Sequence, residues 1–171
     1  FCSGSLELWG EGPDGMASLV ESNPLHPYCK VGIENIARYA EQTKEIFARA
    51  GMSLVGDGKK NHLRLTPLGA LKPAWLTMDE YVTFDQGAVA NYKSVAIVSI
   101  EGYLDFYPEF IARGLEQMGV ECHTREISLA EFNRLRQSAT EMRAVNLSRT
   151  LKGAVLDGFA RKVRDVVQAE D

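Results

Sequence analysis

The sequence is short of most features that would disclose a function at sight. It has no apolar run near the roughly 20 residues a membrane span needs. Basic charge is not in excess: 19 Lys and Arg against 23 Asp and Glu give a net charge of −4, which weighs against a nucleic-acid or anionic-membrane surface. Cysteine is scarce and odd in number. Cys2, Cys29 and Cys122 fall at no metal spacing, and three free thiols in a reducing cytoplasm are expected. The three histidines, His26, His62 and His123, lie far apart, and none has a second ligand nearby. They read as surface or structural residues, and no metal site is expected. No Cys–His pair and no Ser–His–Asp order signals a nucleophile. "GEGPDG" (10–15) is not a dinucleotide fingerprint, since no strand is read before it and no helix at its end.

What is present is an ordinary globular composition, with 45% apolar and 25% charged residues. A chain of 171 residues can build a core without disulfides or a metal. Residues 10–27, rich in Gly and Pro, read as loop with a short helical turn at 16–21. Ile33, Ile36, Ala37, Ala40, Phe47 and Ala50 fall on one helical face, which predicts a helix over 33–50 stopped by Gly51. His62–Thr66 and Leu71–Thr77 suggest an antiparallel pair around Pro67 and Gly69. Residues 78–92 show no pattern.

The clearest unit spans 94–127. "SVAIVSI" (94–100) is an apolar run of strand length, of the kind covered on both faces. Tyr107, Phe110, Ile111, Gly114, Leu115 and Met118 then recur at helical spacing, with Pro108 in the first turn. Gly119 ends that helix and "VECHTREI" (120–127) reads as a second strand. This predicts an α/β fold: a βαβ unit with parallel strands in a mixed sheet, and helices packed on it. Ser128/Glu131 and Ser138/Glu141 have capping-box spacing and predict helices over about 129–136 and 139–151. The tail 154–169 reads as a last amphipathic helix.

Two places carry candidate chemistry. "SIEGYLDF" follows a strand and precedes a helix, where α/β folds hold ligands, but Glu101 and Asp105 would repel a phosphate there. In "SATEMRAVNLSRTL", Arg143, Asn146 and Thr150 share a helical stripe, with Arg149 close in angle. The stripe is either a solvated face or an anion site, since an Arg fork with an amide can hold a carboxylate or phosphate.

Five blocks, in order, resemble one family, the B subunit of anaerobic, quinone-linked glycerol-3-phosphate dehydrogenase. They are "FCSGSLEL" (1–8), "HPYCKVG" (26–32), "RLTPLGALKPAWL" (64–76), "VAIVSIEGYLDF" (95–106) and "ATEMRAVNLSRTL" (139–151). The family's longer chain opens with a strand, a Gly-rich nucleotide-binding turn, a helix and a second strand, and it ends in a further flavin-binding half. The resemblance therefore implies that Phe1 is not a natural start. Residues 1–12 would belong to a Rossmann-type flavin-binding domain, and 13–171 would form one compact α/β domain inserted into it. It implies oxidation of sn-glycerol 3-phosphate to dihydroxyacetone phosphate, with FMN or FAD in the parent and a quinone acceptor. The partners implied are flavoprotein A and iron–sulfur C subunits, with a cytoplasmic location peripheral to the inner membrane. Ser3, Gly4 and Ser5 would border the flavin. Arg143, Asn146, His26 and Tyr28 would line the substrate cleft between inserted and flavin domains. Without the Gly-rich turn, this stretch alone is expected to hold no flavin. Two other classes fit the same residues: a non-catalytic domain for subunit contact or small-anion binding, and an independent α/β binding protein.

Overall fold

The computed structural model of the chain describes residues 4–7, 13–56, 58–85, 91–138 and 140–168. Where the sequence reading has one body over 13–171, contacts gather into two compact units. The first is Phe1–Thr66 with Leu71–Val89, and the second Pro67–Ala70 with Ala90–Asp171.

The first unit runs β1 (Ser5–Leu6), α1 (Pro13–Ser22), α2 (Pro27–Val31), a 3-10 turn (Ile33–Asn35), α3 (Ile36–Arg49), β2 (Leu54–Val55), β3 (His62–Leu65), β4 (Leu71–Ala74), β5 (Leu76–Met78) and β6 (Thr83–Phe84). Its strands form two antiparallel sheets, in the orders β1-β5-β2 and β4-β3-β6. The apolar face read over 33–50 holds in part: α3 begins at Ile36 after the 3-10 turn, Ile33 and Phe47 pack against the core, and Ala37 and Ala50 are exposed. Ile36 and Ala40 of α3 are buried with Met16, Leu54, Trp75 and Leu76.

Residues 10–27 depart from the loop expectation, because α1 is a ten-residue helix. Met16 is fully buried in the core, so tertiary burial stabilises a segment whose Gly and Pro argue otherwise. The expected β3–β4 pair forms, with His62 opposite Ala74 and Leu65 opposite Leu71. Pro73 is tolerated because β4 is an edge strand. The single run read over 71–77 is two strands: β4 pairs with β3, while β5 pairs with β1 and β2. Residues 83–84, read as patternless, are strand β6 on the other side of β3.

The second unit runs β7 (Ser94–Ile100), α4 (Pro108–Glu116), β8 (Glu121–Ile127), a 3-10 turn (Ala130–Phe132), α5 (Asn133–Arg136), α6 (Ala144–Thr150) and α7 (Ala154–Gln168). β7 and β8 are parallel, in continuous register from Ser94 opposite Glu121 to Ile100 opposite Ile127. The predicted βαβ unit is therefore present. The mixed sheet is not: among the described residues β7 and β8 form a two-stranded sheet of their own. Cover on β7 is also uneven, with Ile97, Ser99 and Ile100 buried and Ser94 exposed. The core comprises Ile100, Ile127, Leu129, Phe132, Met142 and Leu147, and Val155, Phe159, Val163 and Val166 of α7 pack on it.

Neither capping box forms. The Ser128 hydroxyl accepts from Arg136, and the turn after it starts at Ala130 with no side-chain cap. The second helix begins at Ala144 rather than 139. The Met142 carbonyl, which a longer helix would need, accepts from Leu104 N–H at 3.0 Å. The Glu141 carbonyl accepts from Asn146 Nδ2, also at 3.0 Å. Met142 is almost fully buried, so core packing takes the segment out of helical register.

Cys29 and Cys122 are unpaired, and Cys2 lies outside the described residues. Burial first, and the Glu116 charge second, push the Cys122 thiol above its ordinary range. Thiol titration of the denatured, unreduced protein is expected to find all three groups, and a count of one would reveal a disulfide. Among the described residues no helix is long and apolar enough to cross a membrane.

Candidate functional site

The C-terminal ends of β7 and β8 carry the densest polar network of the second unit. Arg136, on the four-residue α5, donates to Glu101 Oε2 at 2.7 Å, Ser128 Oγ at 2.8 Å, Asn133 Oδ1 at 2.6 Å and the Leu129 carbonyl at 3.1 Å. It thereby ties the turns after both parallel strands together. Lys162 of α7 donates to the Ser128 carbonyl at 2.6 Å. The two acids that would repel a phosphate in "SIEGYLDF" are thus both engaged, Glu101 by Arg136 and Asp105 by Arg143.

Arg143 is not in the helical stripe at all. It is the residue before α6, in extended conformation. Its guanidinium meets Asp105 Oδ1, and Asp105 Oδ2 accepts from Ala144 N–H at 2.8 Å. The Arg fork and helix-start N–H that a bound anion would use are filled by a carboxylate of the chain itself. The Ala144 N–H, and after it the Arg143 hydrogen bond, hold the Asp105 carboxyl below the usual carboxylate range. Asp105 and Arg143 are both exposed, so solvent screens the pair.

The sign for pH follows. A depressed folded-state pKa contributes stability that is present above the unfolded value, about 3.9, and is lost as pH falls through the folded value. Asp105→Asn is therefore expected to destabilise near pH 7 and to narrow its deficit as acid protonates the wild-type carboxyl. Urea unfolding of both proteins at neutral and acid pH measures this. A deficit that stays constant as the pH is lowered until both proteins unfold would rule out the ionic contribution.

Asn146 points elsewhere. Its Nδ2 donates to Glu141 Oε2 at 2.9 Å and to the Glu141 carbonyl. With Glu131, Arg134, Glu141, Arg149 and Thr150 it lines a cavity of about 570 Å³. Thr150 Oγ1 donates to the Asn146 carbonyl at 3.1 Å. The expected Arg143–Asn146–Thr150 stripe is thus split: Asn146 and Thr150 share the cavity, and Arg143 faces Asp105. Glu131, Arg134 and Arg136 carry no signal in the sequence that marks them as site residues. Arg149 is visible there only as a neighbour in angle.

In the first unit, His26 caps α2. Its Nδ1 accepts from Tyr28 N–H at 3.2 Å, and the two rings meet edge-to-face at 4.7 Å. His62 Nε2 lies 2.7 Å from Thr77 Oγ1, and His123 of the second unit lies 3.4 Å from Glu121. All three histidines therefore have structural neighbours. Among the described residues no three His, Cys, Asp or Glu side chains gather as a metal site. Ser3 lies outside the described residues. Gly4 has φ +69°, and a Cβ there would come within 2.4 Å of the Tyr81 ring. The Gly4 carbonyl accepts from Met78 N–H, and Ser5 is buried in β1 opposite Thr77.

The geometry defines an α/β protein with one parallel βαβ unit and a polar cavity beside its C-terminal end. A family model described as FAD binding domain matches residues 12–165, and the chain belongs to that family. Several relatives carry the name of the B subunit of anaerobic glycerol-3-phosphate dehydrogenase. One from Yersinia enterocolitica is 39% identical over 88% of this chain and 38% of its own. One from Actinobacillus succinogenes is 33% identical over 91% of this chain and 39% of its own. One from Pasteurella multocida is 31% identical over 99% and 42%. The chain thus spans about two fifths of the length of the curated relatives it matches. No solved structure matches it.

The family name implies a flavin, so the described residues can be tested against one. A pyrophosphate cradle needs free backbone N–H groups at a Gly-rich turn that opens a helix. The turn after β7 offers carboxylates instead, and α4 opens on Pro108, which has no N–H. The turn after β7 does not form a pyrophosphate cradle; residues 8–12, between β1 and α1, lie outside the described residues.

Proposed function

We propose that the chain is an internal portion of a flavin-dependent dehydrogenase subunit that oxidises sn-glycerol 3-phosphate to dihydroxyacetone phosphate with a quinone acceptor. The observation that carries the reading is similarity spread over 88–99% of the chain to relatives of that name. Residues 1–12 then belong to the flavin-binding domain and the remainder to an inserted domain. Ser3, Gly4 and Ser5 border one edge of FMN or FAD in the parent, whose cradle is supplied from outside this stretch. His26 and Tyr28 flank the substrate cleft. A and C subunits complete a complex on the cytoplasmic side of the membrane.

The test compares the 171-residue chain with the full-length polypeptide. Hydrogen bonds from one Ser-Gly-Ser loop are each worth about 0.5–1.5 kcal/mol net, whereas micromolar binding needs about 8 kcal/mol. The chain is expected to purify colourless and to reduce no dye with glycerol 3-phosphate. The full-length protein, assembled with its partners, is expected to be yellow and active. Stoichiometric flavin retained by the chain through gel filtration would overturn the assignment of the cradle to another segment. A colourless, inert full-length complex would overturn the dehydrogenase reading.

A further inference from the structure

β7 and β8 lie side by side, but only β8 is built like the edge of a sheet. In their parallel register, Glu121 N–H donates to the Lys93 carbonyl and Glu101 N–H to the Ile127 carbonyl. Alternate residues of a strand bond to opposite sides, so these two bonds assign Val95, Ile97 and Ser99 of β7 to β8. Ala96 and Val98 turn their N–H and C=O groups away from β8. Among the described residues, these backbone groups of Ala96 and Val98 have no hydrogen-bond partner.

The side chains of β7 do not suit an open edge. The run "SVAIVSI" holds no charge, and its C-terminal half is covered on both faces. Val98 and Ile100 pack in the core with α7, while Ile97 and Ser99, which point to the opposite face, are buried as well. β8 differs. Its Glu121, Arg125 and Glu126 are charged and exposed. Arg125 Nη1 also donates at 2.9 Å to the Thr124 carbonyl, which points away from β7. Charge and a covered carbonyl blunt the outer edge of β8 against another strand, and β7 has neither device. A parallel strand that is apolar on both faces belongs to the interior of a sheet, and unpaired backbone groups beside a core are costly.

From this we infer that the open edge of β7 receives a further β-strand, paired to Ala96 and Val98 and supplied by the part of the longer polypeptide outside this stretch. The inference rests on the reading of the chain as an internal portion. The chain spans about two fifths of the length of its curated relatives, so the remaining three fifths can supply the strand. The chemistry of the occupant follows from its place. Its backbone completes the ladder of β7, and its side chains are uncharged and apolar toward both covered faces.

Residue-resolved hydrogen exchange of the 171-residue chain and of the full-length polypeptide tests this. In the 171-residue chain, the Ile97 and Ser99 amides are expected to exchange slowly and the Ala96 and Val98 amides faster. In the full-length polypeptide, Ala96 and Val98 should slow by about a hundredfold or more. The Cys122 and Thr124 amides, on the outer edge of β8, should keep their rates, which separates strand pairing from a general gain in stability. Exchange needs neither flavin nor substrate. A full-length protein that is colourless and inert, yet protects Ala96 and Val98, would sink the dehydrogenase reading and support the added strand. Equal rates for Ala96 and Val98 in the two forms, or equal slowing of Cys122 and Thr124, would overturn the inference. So would protection that appears in the 171-residue chain as its concentration is raised, because the occupant would then be a second copy.

Discussion

Phe132→Ala is expected to lower the unfolding free energy by about 3–5 kcal/mol, the usual cost of truncating a fully buried phenylalanine. Phe132 is 0% exposed and packs in the core with Ile100, Ile127, Leu129, Met142 and Leu147. It sits on the 3-10 turn between β8 and α5, one residue after Glu131 and two before Arg134. The side chain therefore anchors the segment that carries two walls of the cavity. Removing it takes apolar contact from residues of both β strands and of α6, and nothing in a close-packed interior refills the space without moving them. Total domain stabilities are about 5–15 kcal/mol, so the loss is a large share of the whole. Urea unfolding followed by far-UV circular dichroism measures it, and a loss below about 1 kcal/mol would show that the site collapses readily.

The contrast between what the sequence discloses and what it hides is physical. The βαβ unit is legible because its signals are local and agree. An apolar run of strand length, a helix-period stripe with Pro at its start, and a closing Gly all point the same way. Helix α7 is legible for the same reason. The capping boxes fail because their spacing is a local signal overruled at a distance. Met142 is drawn into the core, and its carbonyl meets Leu104, 38 residues earlier in the chain. That single bond, with the Asn146 contact to Glu141, moves the helix start to Ala144 and takes Arg143 out of the stripe. Arg149 and Arg134 line the cavity instead, and the place of Arg134 there depends on how α5 and α6 meet. No pattern within "NRLRQ" signals that meeting. The helix over 13–22 is hidden by the reverse effect, since Gly and Pro composition argues for loop and burial of Met16 decides otherwise.

Gly114→Val is expected to be strongly destabilising. Sequence spacing places Gly114 on the apolar face of α4 but does not say why it is glycine. The reason is a backbone approach within the second unit. A Cβ on Gly114 would stand 2.0 Å from the Gly69 carbonyl oxygen, and one on Gly69 would stand 2.1 Å from the Phe110 carbonyl oxygen. Both obstacles are backbone atoms, which cannot rotate away as a side chain end can. Gly114 is helical, so its substitution is a test of space alone. Alanine there would gain roughly 1 kcal/mol of helix propensity, yet overpacking of this kind costs about 1–3 kcal/mol or more. Gly114→Ala should therefore destabilise despite its better propensity, and Gly114→Val should destabilise further. Gly69 adds a second demand, with φ +78°, a region costly to any residue with a side chain. Because the two glycines share one contact, Gly69→Ala and Gly114→Ala should not add: once either has pushed the segments apart, the other meets less resistance. Urea unfolding of the two single variants and the double variant measures this, with the double falling short of the sum by at least about 0.5 kcal/mol. Strict additivity, or a Gly114→Ala variant more stable than wild type, would show that α4 and the Pro67–Ala70 turn do not meet as closely as described.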